Sequence, residues 1–381
     1  MIPRFKPRID WQELKVLFTH NKFAVEKFEK AFAKKFHAVD AVAFPYGRSA
    51  QWAFINAVGL KDIDIIMPAY TCSVVAHAIV LSGNNPKFID INLHDFNMDL
   101  EKAESAINPN TRAIIATHTF GYPQDLDRLE AMVKRAEIRY GHKIWLIQDC
   151  CHAFGAEWKG KSIGSSGDVA VYALNISKLM TSIFGGMLTF QDQQLADKVR
   201  LWRDENFKSA GWLKSIKRRI YTLAVYIAFN EKIYGITWWL QTNTKILNRF
   251  TKLYHLDEKI IFPPDYLSKM HNVEAAVGLK QLKKYDDIIQ QRRDKVNFYN
   301  KELVRHKDWV LPPIVNGATY SHYTVRVQNR DEVINKYALK GVQLGELIQY
   351  SIPSLKCYRK LDGINYPNAH QASLETINFP L

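Results

Sequence analysis

The sequence predicts an α/β protein with a mainly parallel seven-stranded sheet covered by helices, followed by a smaller C-terminal α+β domain. Between residues 40 and 190, short β-rich runs alternate with helical or turn-forming segments, which is the pattern of a largely parallel sheet. Pro263 and Pro264 then mark a boundary, after which residues 270–303 carry apolar residues at helical spacing. Ligands bind such sheets at the carboxyl ends of the strands, and residues suited to chemistry follow the predicted strands here. We therefore expect a site at that edge.

The chain is long enough for two domains of unequal size. Its 381 residues, 47% of them hydrophobic, can fill a large core and a smaller second one. We predict that residues 1–20 pack on the small domain, that 21–262 form the large domain, and that 263–381 form the small domain. The predicted strands of the large domain span residues 41–44, 63–67, 87–91, 112–117, 143–149, 169–174 and 186–190.

Cysteine usage and the N-terminus favour a reducing cytoplasm. The four cysteines form neither a metal-type Cys-x-x-Cys pair nor a disulfide framework, so we expect no metal site. Residues 1–20 mix charges without an apolar core, so we expect no secretory signal. The net charge of +14 suits nucleic acid, anionic lipid head groups or an anionic substrate. No recognition motif with interleaved aromatic residues accompanies it, so we expect no nucleic-acid partner.

Residues 205–262 interrupt the strand pattern and are predicted to form a helical insertion in the large domain. A cationic cluster is followed by apolar runs at 220–229 and 233–240, and neither run reaches the roughly 20 residues that a membrane-spanning helix needs. One hypothesis is that residues 214–250, with Trp238 and Trp239, rest on a membrane surface. The alternative, which we favour, is that the same apolar face packs on the body of the protein or on a partner subunit.

Lys178 is the candidate catalytic residue. It follows a predicted buried strand and precedes Gly185 and Gly186, which allow close backbone packing. Most lysines are solvated surface residues, and that is the alternative here. A lysine desolvated in this position can have a lowered pKa and act as a nucleophile toward an aldehyde.

Asp149 and His152 follow a predicted strand at a glycine-containing turn. Asp149 could simply cap a helix. It could instead pair with a protonated pyridine nitrogen and keep that ring cationic, so that the ring accepts electrons from a carbanion. His152, three residues on, would then lie near the oxygen substituent of the ring.

Two further segments could bind a planar, phosphorylated ligand. Arg48 and Ser49 follow a glycine turn at the predicted start of a helix, where free amides, the helix dipole and the Ser49 hydroxyl can bind phosphate. Ser49 could equally be a plain N-cap. Tyr70 follows another strand and could stack on a planar ring, or it could be a core tyrosine.

Taken in order, these segments resemble the DegT/DnrJ/EryC1/StrS family of pyridoxal-phosphate sugar aminotransferases, which have fold type I. The resemblance implies that residues 21–262 bind pyridoxal 5'-phosphate (PLP). It also implies a glutamate donor, a nucleotide-linked keto-sugar acceptor for surface polysaccharide or a related glycan, and a homodimer with active sites at the subunit interface. The resemblance rests on residues 47–50, 64–72, 83–90, 108–115, 118–121, 149–155, 164–168, 178, 185–186, 270–282 and 378–381.

The resemblance also implies roles for individual residues. Lys178 matches the lysine that binds the cofactor covalently and moves the proton, and Asp149 matches the partner of the pyridine nitrogen. Arg48 and Ser49 match the phosphate loop. The lysine at 178 argues against the dehydratase relatives, because these place a histidine there.

The sequence departs from the family pattern at three cofactor-contact positions. Ala173 replaces a serine that binds the phosphate in many members, and Asn175 could compensate. Cys72 replaces the aromatic residue that stacks on the cofactor, and Tyr70 could take over. Residues 267–269 replace an Asn-Tyr-Arg whose asparagine reaches the partner subunit's cofactor. These departures leave a non-catalytic PLP-binding regulator as an alternative, and the insertion leaves open a lipid-linked acceptor at a membrane.

Overall fold

The computed structural model describes residues 1–19, 21–244, 259–358 and 365–381. Residues 245–258 of the predicted insertion lie outside these ranges. Residues 245–250 of the segment 214–250, which one hypothesis places on a membrane surface, also lie outside the described ranges. The predicted division at residues 20/21 and 262/263 stays a prediction.

A seven-stranded sheet forms the centre of the described fold. Its strands occur in the order β1-β9-β8-β5-β4-β2-β3, and the prediction of a mainly parallel sheet is confirmed. Only β9 runs antiparallel to its neighbours β1 and β8 in this sheet. The strands are β1 (Asp40–Phe44), β2 (Asp64–Pro68), β3 (Asn85–Ile89), β4 (Thr111–Thr117), β5 (Trp145–Asp149), the short hairpin β6 (Glu157–Trp158) and β7 (Lys161–Ser162) outside the sheet, β8 (Val169–Ala173) and β9 (Gly186–Phe190).

Both faces of the sheet are buried. Val42 and Phe44 of β1 point into one core cluster, whereas Ala41 and Ala43 point into the other. A strand buried on both faces can be apolar at successive positions, which explains the short uninterrupted apolar runs in the sequence. The N-terminal helix is α1 (Trp11–Val16). The helices over the sheet are α2 (Ala24–Lys35), α3 (Gly47–Ala57), α4 (Ser73–Leu81), α5 (Leu100–Ala106), α6 (Leu126–Tyr140) and α7 (Gln193–Asn206).

The predicted insertion is helical where the structure describes it, as α8 (Trp212–Ala228) and α9 (Tyr234–Asn243). No helix within the described ranges has the length and apolar character needed to cross a bilayer. The long helix α10 (Asn272–Leu303) follows, and its first turn carries a capping box between His271 and Glu274.

The C-terminal part contains a two-stranded antiparallel sheet with helices. β10 (Tyr323–Arg326) pairs with β11 (Thr376–Phe379), and α11 (Arg330–Leu339) and α12 (Pro367–Glu375) complete this part. The N-terminal segment reaches it, because Ile2 forms a parallel bridge with Val342. The same segment also contacts α10 through the ion pair of Glu13 with Lys284, at 2.6 Å.

The start of β9 lies against the segment that leads from β1 into α3. A Cβ atom added at Gly186 would lie 2.3 Å from the carbonyl oxygen of Tyr46 and 2.6 Å from the amide nitrogen of Gly47. Real side chains do not fit at such distances. The backbone of residues 46 and 47 can therefore approach β9 only because residue 186 is glycine.

We expect Gly186→Ala to lower the free energy of unfolding by about 1–3 kcal/mol, because the added methyl group must displace backbone. Thermal unfolding measures the change. Gly235→Ala in α9 is the control, since its Cβ would meet no atom within 4 Å. That control should be neutral or stabilising by up to ~1 kcal/mol. A Gly186→Ala protein as stable as the wild type would contradict the close approach.

Candidate active site

A cavity of about 440 Å³ lies at the carboxyl ends of the parallel strands. Thr117, Asp149 and Ala173, which end β4, β5 and β8, all line it. Residues that follow β1 and β2 and the start of β9 complete this side of the wall. Of the predicted site residues, the structure brings the following to the cavity: Arg48, Cys72, Asp149, His152, Asn175 and Lys178.

The Asp149 carboxylate is buried and held in a fixed orientation. Thr117 Oγ1 donates a hydrogen bond to Oδ2 at 3.1 Å, and the Cys151 backbone amide donates to Oδ1 at 3.1 Å. A carboxylate accepts about four hydrogen bonds, so both oxygens keep acceptor capacity. The arrangement suits a fixed negative charge that faces a cationic N–H group in the cavity.

His152 presents a neutral imidazole to the same cavity. Its ring stacks on Phe120, with centroids 6.1 Å apart and planes inclined by 8°. Burial lowers the pKa of His152 well below its usual value, and the charges of Lys178 and His322 lower it further. The Nδ1 atom is buried and has no hydrogen-bond partner among the described residues.

Lys178 lies in the connection between β8 and β9, in a turn organised by Asn175. The Asn175 side-chain oxygen accepts hydrogen bonds from the backbone amide and the hydroxyl of Ser177, at 3.1 and 2.8 Å. The Lys178 amide then donates to the Asn175 carbonyl at 3.1 Å. The turn places Lys178 at the cavity. Burial is the main cause of the lowered pKa values of His152 and His322, and the nearby Lys178 charge lowers both further.

The first turn of α3 forms a concave surface suited to phosphate. Gly47 lies so close to β8 that an added Cβ would meet the Ala173 Cβ at 2.7 Å. Ser49 is fully buried, and its Oγ has no hydrogen-bond partner among the described residues. Because the N-cap of α3 is Tyr46, the N-cap interpretation of Ser49 is wrong. A buried hydroxyl without a partner at a helix N-terminus fits an anionic oxygen.

Comparisons with known proteins agree with this geometry. The sequence profile of the DegT/DnrJ/EryC1/StrS aminotransferase family matches residues 14–381. The chain belongs to this family. The aminotransferase is 29% identical to the GDP-perosamine synthase of Caulobacter vibrioides, over 84% of this chain and 75% of that protein.

Two further comparisons extend over nearly the whole aminotransferase. It is 29% identical to the spore coat polysaccharide biosynthesis protein SpsC of Bacillus subtilis, over 94% of this chain and 84% of that protein. The crystal structure of the sugar aminotransferase CalS13 from Micromonospora echinospora has the same fold, with a TM-score of 0.78 and 20% identity. That superposition covers 100% of this chain and 94% of CalS13. The predicted family, fold type and PLP cofactor are thereby confirmed.

Tyr70 of the aminotransferase is a core residue. Its ring is fully buried against Phe96 and Phe120. Its hydroxyl bonds to Thr376 Oγ1 at 2.9 Å and donates to the Ile348 carbonyl at 3.3 Å. A ring packed among aromatic side chains, with its hydroxyl paired, cannot also face the cavity. The prediction that Tyr70 stacks on the cofactor is therefore wrong, and Cys72 lines the cavity instead.

The cavity also contains residues that the sequence did not single out. Thr117 was detectable, because it ends a predicted strand beside Asp149. Tyr46 precedes the glycine turn, and this position is a weaker indication that it belongs to the site. His322 and residues 345–350 come from the distant C-terminal part and gave no local signal.

The helical insertion of the aminotransferase is attached to the cavity wall by Arg218. Its guanidinium donates to Glu274 at 2.7 Å, to Asp265 at 2.9 Å and to the Tyr46 hydroxyl at 3.2 Å. It also lies 4.0 Å from the ring centroid of Phe184, which lines the cavity with Tyr46. The insertion thus supports the cavity wall next to the first turn of α3.

We expect Ser49→Ala to raise the dissociation constant of PLP about tenfold or more, because a hydrogen bond to a charged group contributes ~1.5–3 kcal/mol. The same change should leave the thermal stability of the apoprotein unchanged or higher, since the buried hydroxyl has no partner within the described ranges. Fluorescence titration of the apoprotein with PLP and thermal unfolding measure the two effects.

Ser82→Ala is the matched control, because the Ser82 hydroxyl is also buried but donates to the Ile79 carbonyl at 2.7 Å. It should lower stability and leave PLP affinity unchanged. Wild-type PLP affinity in Ser49→Ala would show that Ser49 does not contact the phosphate.

Proposed function

We propose that the protein transfers an amino group from glutamate to a keto-sugar carried by a nucleotide, for the synthesis of a surface polysaccharide or related glycan. The observation that carries the proposal is the convergence of Lys178, Asp149 and the first turn of α3 on one cavity. The names of two relatives support the acceptor class: a GDP-perosamine synthase and a dTDP-4-amino-4,6-dideoxy-D-glucose transaminase.

The proposal assigns the proton-transfer chemistry to Lys178. Bound PLP supplies an aldehyde that reacts with amines and a ring that accepts electrons. Lys178 Nζ would hold that aldehyde covalently. As the free amine, Nζ would take the proton from, or return it to, the amine-bearing carbon of the substrate.

The other cavity residues hold and polarise the cofactor. Asp149, oriented by Thr117, would keep the ring nitrogen protonated, which would make the ring a better electron acceptor. His152, whose pKa is lowered by burial, would be the neutral imidazole nearest the oxygen substituent of the ring. The amides of the first turn of α3, with Arg48 and Ser49, would bind the phosphate. Asn175 would supply the polar contact that Ala173 cannot make.

The proposal includes the assembly and the cellular location. We expect a homodimer with active sites at the subunit interface and a cytoplasmic enzyme, where nucleotide-linked acceptors would be accessible. The four cysteines, Cys72, Cys150, Cys151 and Cys357, form no disulfide with one another, which agrees with a reducing compartment.

A two-step spectroscopic experiment tests the proposal. The purified holoenzyme is mixed with L-glutamate, and the visible absorbance of the bound cofactor should disappear as the amino group is transferred to it. A panel of GDP- and dTDP-linked keto-sugars is then added, and the productive acceptor should restore the absorbance and give an amino-sugar by mass spectrometry. A protein that binds PLP but responds to no amino donor would be a regulator without turnover. Restoration only by a lipid-linked keto-sugar would replace the nucleotide acceptor.

A further inference from the structure

Helix α8 turns a largely polar side toward the protein and a broad apolar side toward solvent. The inward side carries Lys214, Ser215, Arg218 and Thr222, and among its apolar residues only Val225 is buried, while Tyr221 and Leu223 pack partly buried beside Phe184. The outward side, which we call the α8 apolar face, consists of Trp212 (70% exposed), Leu213 (56%), Ile216 (44%), Ile220 (62%) and Ile227 (57%). Helices on globular proteins normally bury their apolar side. In α8 this apolar side does not pack on the described body of the protein, and its packing on a partner subunit stays a prediction.

The orientation of α8 is fixed by charge. Glu274 is fully buried at the start of α10. A buried carboxylate is unfavourable unless cationic groups pair with it. Arg218 bonds to it at 2.7 Å, and Lys214 lies 3.7 Å away and also donates to the carbonyl of Ser268 at 2.9 Å. These contacts would be lost if the helix rotated to bury its apolar side. The exposure of the α8 apolar face is thus a consequence of a buried ionic network.

Cationic side chains lie on both sides of the α8 apolar face. Successive residues of a helix are rotated by about 100°, which places Ile216, Ile220 and Ile227 on one line. Lys217 then lies on one side of that line and Arg219 on the other. An apolar stripe between two cations is the arrangement of a helix that lies in the plane of a membrane interface.

The whole region is cationic. Residues 206–244, the described part of this region, contain one acidic residue, Glu231, and six cationic ones, so their net charge is +5. Glu231 is itself paired with Lys6 at 2.7 Å. The six are Lys208, Lys214, Lys217, Arg218, Arg219 and Lys232.

We propose that the α8 apolar face docks on an anionic lipid surface. Apolar side chains would enter the boundary of the acyl chains, while Lys217 and Arg219 bind anionic head groups. The chain as a whole carries a net charge of +14, so charge complementarity favours an anionic lipid surface over a second copy of the chain. The oligomeric state of the variants tests the second copy as the occupant.

Docking would hold the active site close to the lipid surface. Phe184 lines the cavity, and on its other side it contacts Tyr221 of α8, with ring centroids 4.9 Å apart. One layer of side chains therefore separates α8 from the cavity. The docking proposal does not depend on which carrier the sugar acceptor has.

Vesicle sedimentation with the full-length holoenzyme tests the proposal. Sucrose-loaded vesicles of phosphatidylcholine alone are compared with vesicles that also contain phosphatidylserine, at low and high salt. We expect binding only to the anionic vesicles, and weaker binding at high salt. Lys217→Gln/Arg219→Gln should weaken binding about 25-fold, since each cation near an anionic surface contributes about fivefold.

A second variant tests the apolar contribution. Ile216→Glu/Ile220→Glu should lower vesicle binding at least about tenfold. Ile138→Glu is the matched control, because Ile138 is 75% exposed on α6 and should bind vesicles like the wild type. Transamination of a soluble acceptor is measured on the same samples. This activity shows whether each variant is folded and whether the proposed function holds, independently of lipid docking. If the double glutamate variant does not fold, the cation variant carries the test.

Three results would overturn the proposal. The first is wild-type protein that does not bind anionic vesicles. The second is vesicle binding that both double variants leave unchanged. The third is a dimeric wild type that Ile216→Glu/Ile220→Glu converts to monomers, because the α8 apolar face would then be an interface between copies.

Discussion

Lys178→Ala is expected to lower the rate of transamination by about 10³-fold or more, while PLP still binds non-covalently. The loss has two causes, because Lys178 both holds the cofactor aldehyde and moves the proton. General acid–base catalysis alone contributes about 10²–10⁴-fold. Rapid mixing of the holoenzyme with L-glutamate, followed by the visible absorbance of the cofactor, measures the rate of this half-reaction.

Borohydride reduction identifies the attached lysine directly. In the wild type, the reduced cofactor should remain on the peptide that contains Lys178, and mass spectrometry should find no such addition in Lys178→Ala. Lys161→Ala is the control, since Lys161 pairs with Glu130 at 2.6 Å and does not line the cavity. It should react like the wild type. A cofactor fixed to Lys178→Ala by borohydride would show that another lysine is the attachment site.

Asp149→Asn is expected to lower kcat for transamination by about 10²–10³-fold. The amide keeps the shape of the carboxylate but removes the negative charge that keeps the ring nitrogen protonated. Loss of one partner of a buried charged pair costs ~2–5 kcal/mol, which sets the size of the effect. Steady-state kinetics with glutamate and the productive keto-sugar measure it, and PLP affinity of the apoprotein should fall in parallel.

Asp168→Asn is the matched carboxylate control. Asp168 accepts the Leu146 amide at 2.8 Å and pairs with Lys143 at 3.0 Å, away from the cavity. Its replacement should lower stability and leave kcat unchanged. Thr117→Val should give a smaller loss of about fivefold, since it removes one orienting hydrogen bond of about 1 kcal/mol. Full activity in Asp149→Asn would remove Asp149 from the mechanism.

The residues that sequence reasoning placed at the site share one property. Asp149 ends a strand, and Lys178 follows the next strand of the sheet by a short turn. The direction of a strand fixes where its last residue lies, and the carboxyl ends of parallel strands meet at one edge. A strand pattern recognised along the chain was therefore enough to bring these two residues together.

The strand pattern was not enough to place the side chain of Tyr70. Tyr70 and Cys72 both follow β2, and only the path of the turn decides which side chain faces the cavity. The core around Phe96 and Phe120 takes the larger apolar ring, and Thr376 pairs with its hydroxyl. Those partners lie 26 to 306 residues further along the chain, so no local pattern indicates them.

The sequence by itself determined the alternation of strands and helices, the seven-stranded sheet, and the placement of Asp149 and Lys178 at the carboxyl ends of strands, because these depend on local apolar patterns. Only the tertiary structure decided that Tyr70 is a core residue, that His322 reaches the cavity, and that α8 presents its apolar side to solvent. The last of these depends on Glu274, a buried charge from another helix whose need for cations outweighs the burial of apolar surface. A sequence pattern shows that a helix is amphipathic, but the groups packed against the helix decide which side is buried.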